Sequence, residues 1–162
     1  TTNFLRADAT WAVPPNKVLQ VLQTTYTPNA DLSTTTPGDD TTPTSSEGTE
    51  VLSLAITPAD NSNKILCIVN LTAASVTNVI LTAALFRETT CINARGLGGN
   101  TGGSGVQGFE ITYLDSPASG SAQTYSVRVG ANSGNIRLNG TTTGRLYGGT
   151  SSCTLTLIEV EA

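Results

Sequence analysis

Acid–base and nucleophilic chemistry at neutral pH most often runs through histidine, and this chain has none. Its absence removes Ser-His-Asp and Cys-His nucleophiles, His-ligated zinc and histidine proton transfer together. The groups left are carboxylates: Asp8, Asp31, Asp39, Asp40, Asp60, Asp115 and six glutamates. A glycosidase needs two of them at a set separation across the scissile bond. Asp39 and Asp40 lie in a Thr- and Pro-rich stretch where a solvated turn is the plainer role. Asp115, just before Ser116-Pro117, reads as a turn initiator that bonds the backbone after it. No D-x-D-x-D-G run marks a calcium loop. Cys67, Cys91 and Cys153 are far apart and form no C-x-x-C pair, so they read as small buried thiols of a protein assembled in a reducing cytosol. No catalytic residue, metal site or cofactor is therefore expected.

Binding chemistry is better represented. Arg128 and Arg137 alternate with Val127, Val129, Ile136 and Leu138, which points both guanidiniums away from the apolar side. With Arg145, Tyr125 and Tyr147 they would make a planar, hydrogen-bonding surface suited to a sugar or an anionic polysaccharide. The plainer alternative is a solvent face, or a subunit contact with Glu110, Glu159 or Glu161. Residues 95–108, RGLGGNTGGSGVQG, have neither the P-loop lysine nor the dinucleotide spacing, so they read as a glycine-rich loop. The 8 basic residues are scattered against 12 acidic ones, for a net charge of −4, and offer no patch to neutralise phosphates. Nucleic acid is not an expected partner. No stretch is long enough to cross a membrane, and the opening residues lack an apolar signal core. The Asn70-Leu71-Thr72 and Asn139-Gly140-Thr141 sequons arise easily in a chain so rich in Asn and Thr.

The elements that must position these groups are strands. The 162 residues are 38% hydrophobic and only 12% charged, rich in Ser, Thr, Gly and Asn and poor in helix formers. That length suits one domain with a real core. Residues 1–15 read as an extended lead-in or arm, ending in a Pro pair and docking through Phe4 and Trp11. Residues 16–162 read as the folded domain. KVLQVLQTTY fits a strand. Residues 27–48 lack large apolar side chains and read as a long surface loop. TEVLSLAITP, FEITYLD, TYSVRVG and NIRLN alternate as strands. KILCIVNLTAA, NVILTAALFRETTCI and SCTLTLIEVE are apolar on both faces, which places them centrally or against another subunit. Seven or eight such strands indicate a β-sandwich, most simply a jelly roll. The chain opens Thr1-Thr2 and holds no Met, which fits either removal of an initiator or a longer parent polypeptide.

The lead-in FLRADATWAVPP resembles the F-L-R-x-D-G-T-W-x-x-P phrase that precedes the distal domain of bacteriophage tail fibres, with Ala9 in place of the glycine. LSLAITPADNSNKILCIVNL, ITYLDSPASGSAQTYSVRV and SSCTLTLIEVEA are similar to the terminal domain of fibre or virion proteins of marine phages. Three separated phrases in the right order cover most of the chain from Phe4 onward. The resemblance implies a non-enzymatic virion component, a homotrimer of jelly rolls of the tumour necrosis factor type, acting as an adhesin on a host-surface glycan or as a surface decoration. Its implied partners are further copies of the chain, other virion proteins and host polysaccharide, and its implied location is the virion. It carries over no functional residue, because the shared phrases form turns and strands.

Residues and resemblance agree on oligomers: strands apolar on both faces exceed what one small chain can cover, and a closed symmetric assembly would bury the surplus.

Overall fold

The computed structural model describes residues 4–5, 7–8, 11–12, 17–75, 79–98, 105–141 and 143–162. In chain order the strands are β1 Phe4–Leu5, β2 Trp11–Ala12, β3 Val18–Tyr26, β4 Asp31–Leu32, β5 Thr49–Ile56, β6 Lys64–Ser75, β7 Ile80–Arg87, β8 Thr90–Gly98, β9 Val106–Asp115, β10 Gln123–Ala131, β11 Ile136–Leu138, β12 Gly140–Thr141, β13 Gly144–Arg145 and β14 Cys153–Val160. Eight of them are eight residues or longer: β3, β5, β6, β7, β8, β9, β10 and β14.

Those eight form two antiparallel sheets. One has the order β3-β14-β6-β9, with β11 and β4 continuing beside the end of β6; the other has the order β5-β10-β7-β8. Numbered along the chain, the long strands run 1-8-3-6 in the first sheet and 2-7-4-5 in the second. That interleaving is the jelly roll, so the expected all-β sandwich is the observed one. The C-terminal strand β14 is central, hydrogen-bonded to β3 on one side and β6 on the other.

Alternation makes the core. In β14 the burial alternates at every residue, with Cys153, Leu155 and Leu157 inward. Ile65, Cys67, Val69 and Ile111 from the first sheet meet Leu52, Leu81, Leu85, Val127 and Val129 from the second in one cluster. Each such aliphatic side chain contributes about 1.5–3 kcal/mol on burial.

Three sequence boundaries shift. The segment read as the single strand NVILTAALFRETTCI is a hairpin: Arg87 pairs Thr90 across Glu88 and Thr89. Its turn has no glycine to announce it. Glu88 adopts φ 52 and is held by its own N–H on Thr124 O at 2.8 Å and its carboxylate on Thr124 N–H at 2.6 Å. The glycine-rich stretch is shorter than 95–108, because residues 95–98 finish β8 and residues 106–108 begin β9. The lead-in doubles back, Phe4 pairing Ala12 and Leu5 pairing Trp11. The docking expected of the Phe4 and Trp11 side chains lies outside the described residues.

Candidate functional site

The five residues expected to form a sugar-binding surface do not share one. Tyr125 points inward with Val127 and Val129, is fully buried, and donates its hydroxyl to Asp115 at 2.7 Å. Burial, reinforced by that carboxylate, pushes the phenol far above its ordinary pKa. Arg128 leaves the second sheet on its outer side, but it is engaged there: Nε donates to Glu47 O at 2.8 Å, Nη2 donates to Gly48 O at 2.9 Å, and Glu50 lies 3.5 Å from Nη1. Arg137 on β11 binds Asp31 at 2.9 Å and Thr141 O at 3.3 Å. Arg145 pairs with Gly140 in the β12–β13 ladder, and Tyr147, 75% exposed, begins the 3-10 turn Tyr147–Gly149 that follows. Arg137, Arg145 and Tyr147 thus adjoin one small ladder, while Arg128 belongs to the other sheet and Tyr125 to the interior. The ion-pair partners within the chain are Glu50 and Asp31.

Two carboxylates matter structurally. Asp115 is not a turn initiator; it is 5% exposed and receives Arg87 Nη1 at 2.8 and 3.0 Å besides the Tyr125 hydroxyl. Arg87 and Tyr125 come from the second sheet and Asp115 from the first, so the cluster pins the sandwich shut. Burial, with Asp115 adding to it, pushes the neighbouring Cys67 thiol up to about 12. Glu159, fully buried, accepts from Gln20 at 2.6 Å, Asn63 at 2.6 Å and Ala59 N–H at 2.7 Å. Burial pulls its pKa upward, but the donors of Gln20, Asn63 and Ala59 together outweigh it and hold the carboxyl below its ordinary value. The register sets Glu159 and Asp115 on one inward row, Gln20–Glu159–Ile65–Asp115, two strand spacings or roughly 10 Å apart. Both are saturated by protein donors inside the sandwich, so they do not flank a cleft as a glycosidase pair must. A signal for both was available, since Glu159 is in phase with Leu155 and Leu157, and Asp115 with Phe109 and Ile111. Burial also raises the Cys91 and Cys153 thiols, which suits inert structural cysteines.

The outer faces of the two sheets differ. Residues 33–48, expected as a surface loop, cross the outside of the β5-β10-β7-β8 sheet as a strap. Thr36 N–H donates to Ala131 O at 3.0 Å and Gly48 N–H donates to Thr35 O at 2.9 Å. The strap passes so close to Gly130 that a Cβ there would collide with Thr36 Oγ1 and stand 2.8 Å from Thr34 O. Further along, Gly38 lies against Ile80, and Glu47 is near enough to Cys91, the register partner of Phe86, to help raise its thiol. Thr82, Ala84, Phe86 and Ser126 point out of the sandwich by alternation, yet all are buried. Asp39 caps the strap's own turn, accepting from Thr41 N–H at 3.0 Å and its hydroxyl at 2.5 Å. The Thr41 hydroxyl, with the Thr41 N–H behind it, holds the Asp39 carboxyl below its ordinary pKa.

Among the described residues no strap covers the other sheet's outer face. There the register aligns Val21, Ile158, Leu66 and Leu114 in one outward row across all four long strands. Val21 is 57% exposed and Leu114 49% exposed. Val18, 56% exposed, and Val160 extend the band on one side, and Ile68 extends it on the other. Beyond lie Gln23, Thr25, Thr112, Thr154 and Thr156, with Lys64 at one end and Glu110 toward the other. This aliphatic face is the candidate functional surface.

No protein-family model matches the chain, and no curated protein matches it in sequence. Among solved structures, it is similar to infectious bursal disease virus of the Gx strain (TM-score 0.47, 15% identity, 94% of this chain and 38% of that one) and of the Gt strain (TM-score 0.49, 14% identity, 94% and 40%). It is also similar to the VP2 subviral particle of that virus, at TM-score 0.45 and 13% identity, over 100% of this chain and 42% of that one. The chain spans about two fifths of the length of these structures. The jelly-roll assignment rests on the strand order given above.

Proposed function

We propose that this chain is a non-enzymatic structural module of a virus particle, a fibre or tip domain of the bacteriophage type that assembles as a homo-oligomer, a trimer, and attaches to a host-surface glycan. The observation that carries the reading is the bare four-strand aliphatic row on a domain whose opposite face is closed by its own chain. Such a face is the mark of a surface kept for association. The phrases similar to marine phage fibre domains support it, as does the engagement of both buried carboxylates in holding the sandwich together. Glycan attachment falls to the exposed Tyr147 ring and Arg145 beside the β12–β13 ladder, where an aromatic face and a guanidinium suit a sugar. Weak single sites would gain avidity through repetition in the oligomer.

A second reading is a capsid-decorating or fibre-forming subunit without a ligand. The engagement of Arg128 and Arg137 and the burial of Tyr125 favour it, because they remove three of the five expected ligand groups. One experiment separates the two: native mass measurement of the purified protein, followed by binding to host-cell polysaccharide with Tyr147→Ala and Arg145→Ala alongside. An oligomer whose glycan binding drops at least tenfold in either variant supports attachment. An oligomer with no glycan binding supports the decorating subunit. A stable monomer at micromolar concentration, or new reducing ends released from the polysaccharide, sinks both.

A further inference from the structure

We infer that the outer face of the β3-β14-β6-β9 sheet is the surface on which a second copy of this chain docks, in a twofold face-to-face contact centred on Val21, Ile158, Leu66 and Leu114. The inference rests on the reading that the chain assembles with itself, and it names where.

Three observations select a second copy as the occupant. The first is size. Three strand spacings of about 4.8 Å and six residues of about 3.4 Å each give a face roughly 15 by 20 Å, ~300 Å² in projection and somewhat under half the ~800 Å² per partner of a standard interface. Within that face Thr25, Thr112, Thr154 and Thr156 border the aliphatic row, which matches an apolar centre with a polar edge.

The second is self-complementarity. The row is ordered Val21–Ile158–Leu66–Leu114, so a twofold axis along the strands between β14 and β6 sets Val21 on Leu114 of the partner subunit and Ile158 on Leu66 of the partner subunit. The four apolar groups of this central row then meet apolar groups in an isologous contact, with the two sheets stacked about 10 Å apart as in a sandwich interior.

The third is charge. The outward face carries Lys64 on β6 at one end and Glu110 on β9 toward the other, and the same axis lays Lys64 over Val160 and Glu110 over Thr25, so no like charges oppose each other. A face with one outward cation and one anion lacks the basic rim that an anionic lipid surface attracts.

A twofold contact doubles whatever assembly the chain otherwise forms, and this makes the inference separable from the trimer. The test is sedimentation equilibrium and native mass measurement of the chain and of the double variant Val21→Lys, Leu114→Lys. Both positions are about half exposed, so the lysines reach water in the single copy and are buried only in the contact. The expected result is an even number of copies for the unaltered protein, halved in the variant, with the contact weakened at least ~100-fold and the far-ultraviolet circular dichroism unchanged. Thr112→Arg on the same exposed face gives the same halving if the double variant fails to fold. An odd number of copies, or the same mass in folded variant and parent, overturns the contact and leaves self-assembly standing. A monomer overturns both, including one that binds neutral phosphatidylcholine vesicles through this face.

Discussion

Phe86 and Leu66 sit at equivalent phases of two facing sheets, each pointing out of the sandwich, and their surroundings are opposite. Phe86 is 1% exposed on a face crossed by residues 33–48, whereas the row containing Leu66 ends in Val21 and Leu114, each about half exposed. Alternation decides which side chains leave the core, but a distant loop decides whether they reach water. One face behaves as a third layer of the domain; the other is finished only when something else is laid on it. This narrows the argument from surplus apolar surface. Most of the second face of the β7–β8 segment is closed within the chain, with Ile80 at its end 40% exposed, so the surplus that calls for association is concentrated on β3, β6, β9 and β14.

The sharpest way to break this contrast is to truncate an outward side chain on the closed face. Phe86→Ala should cost about 3–5 kcal/mol, as for a core aromatic, despite its outward phase. Urea unfolding monitored by tryptophan fluorescence and circular dichroism measures it. A cost under about 1 kcal/mol would mean that the strap does not seal the face.

Glu159 tests whether the sheet beneath the bare face is rigid on its own. Glu159→Ala removes the acceptor of three donors and leaves the buried Asn63 amide without it, at a cost of about 3 kcal/mol. The acid response follows from the direction of its shift. Its folded pKa lies below the unfolded value, so its stabilisation is fully present above about pH 4.3 and is lost as pH falls through the folded value. Urea midpoints measured from pH 6 down to pH 2 should fall steeply for the unaltered protein and more gently for Glu159→Gln. Parallel curves would place the acid sensitivity elsewhere.

Arg128 tests how the strap is fastened. Arg128→Ala removes the guanidinium bonds to the Glu47 and Gly48 carbonyls and should cost about 1–2 kcal/mol. Amide hydrogen exchange at Thr36 and Gly48, whose N–H groups bond Ala131 and Thr35, should quicken while β14 is unaffected. Equal quickening in both sheets would show that the strap is not a separate unit.

These residues also show what the sequence could and could not reveal. The inward phases of Leu155, Leu157, Ile65 and Val127, and the central place of the C-terminal strand, were legible because period-two burial is written locally. The Glu88–Thr89 hairpin was not, because its positive-φ residue is a glutamate held by Thr124, a partner 36 residues away. The strap was read as a loop for the same reason: its anchors are the Ala131 carbonyl and the Arg128 guanidinium of β10, far along the chain, and no local pattern records them. Among the candidate site residues, the outward direction of Arg128 and Arg137 was legible and their partners within the chain were not, since register, not periodicity, brings Glu50 and Asp31 beside them. Tyr125 was in phase with Val127 and Val129 throughout, so its phase already argued against a surface role.

The smallest effect is expected where the comparison is most exposed to test, at Val21. Val21→Thr keeps the β-branched shape and strand preference and replaces one methyl by a hydroxyl. In a single copy the position is 57% exposed, so the hydroxyl stays hydrated and the stability changes by less than about 0.5 kcal/mol. In a face-to-face contact the same hydroxyl is stripped of water opposite an aliphatic side chain, which costs about 1–3 kcal/mol. The substitution therefore acts on association and hardly on folding. Association contributes to unfolding stability by mass action, so the urea midpoint of the unaltered protein should rise between ~1 and ~100 μM protein. For Val21→Thr the rise should shrink, with the two proteins converging at the dilute end. A midpoint lowered equally at both concentrations would show that Val21 supports the fold itself, and the bare face would then differ from the strapped one only in exposure.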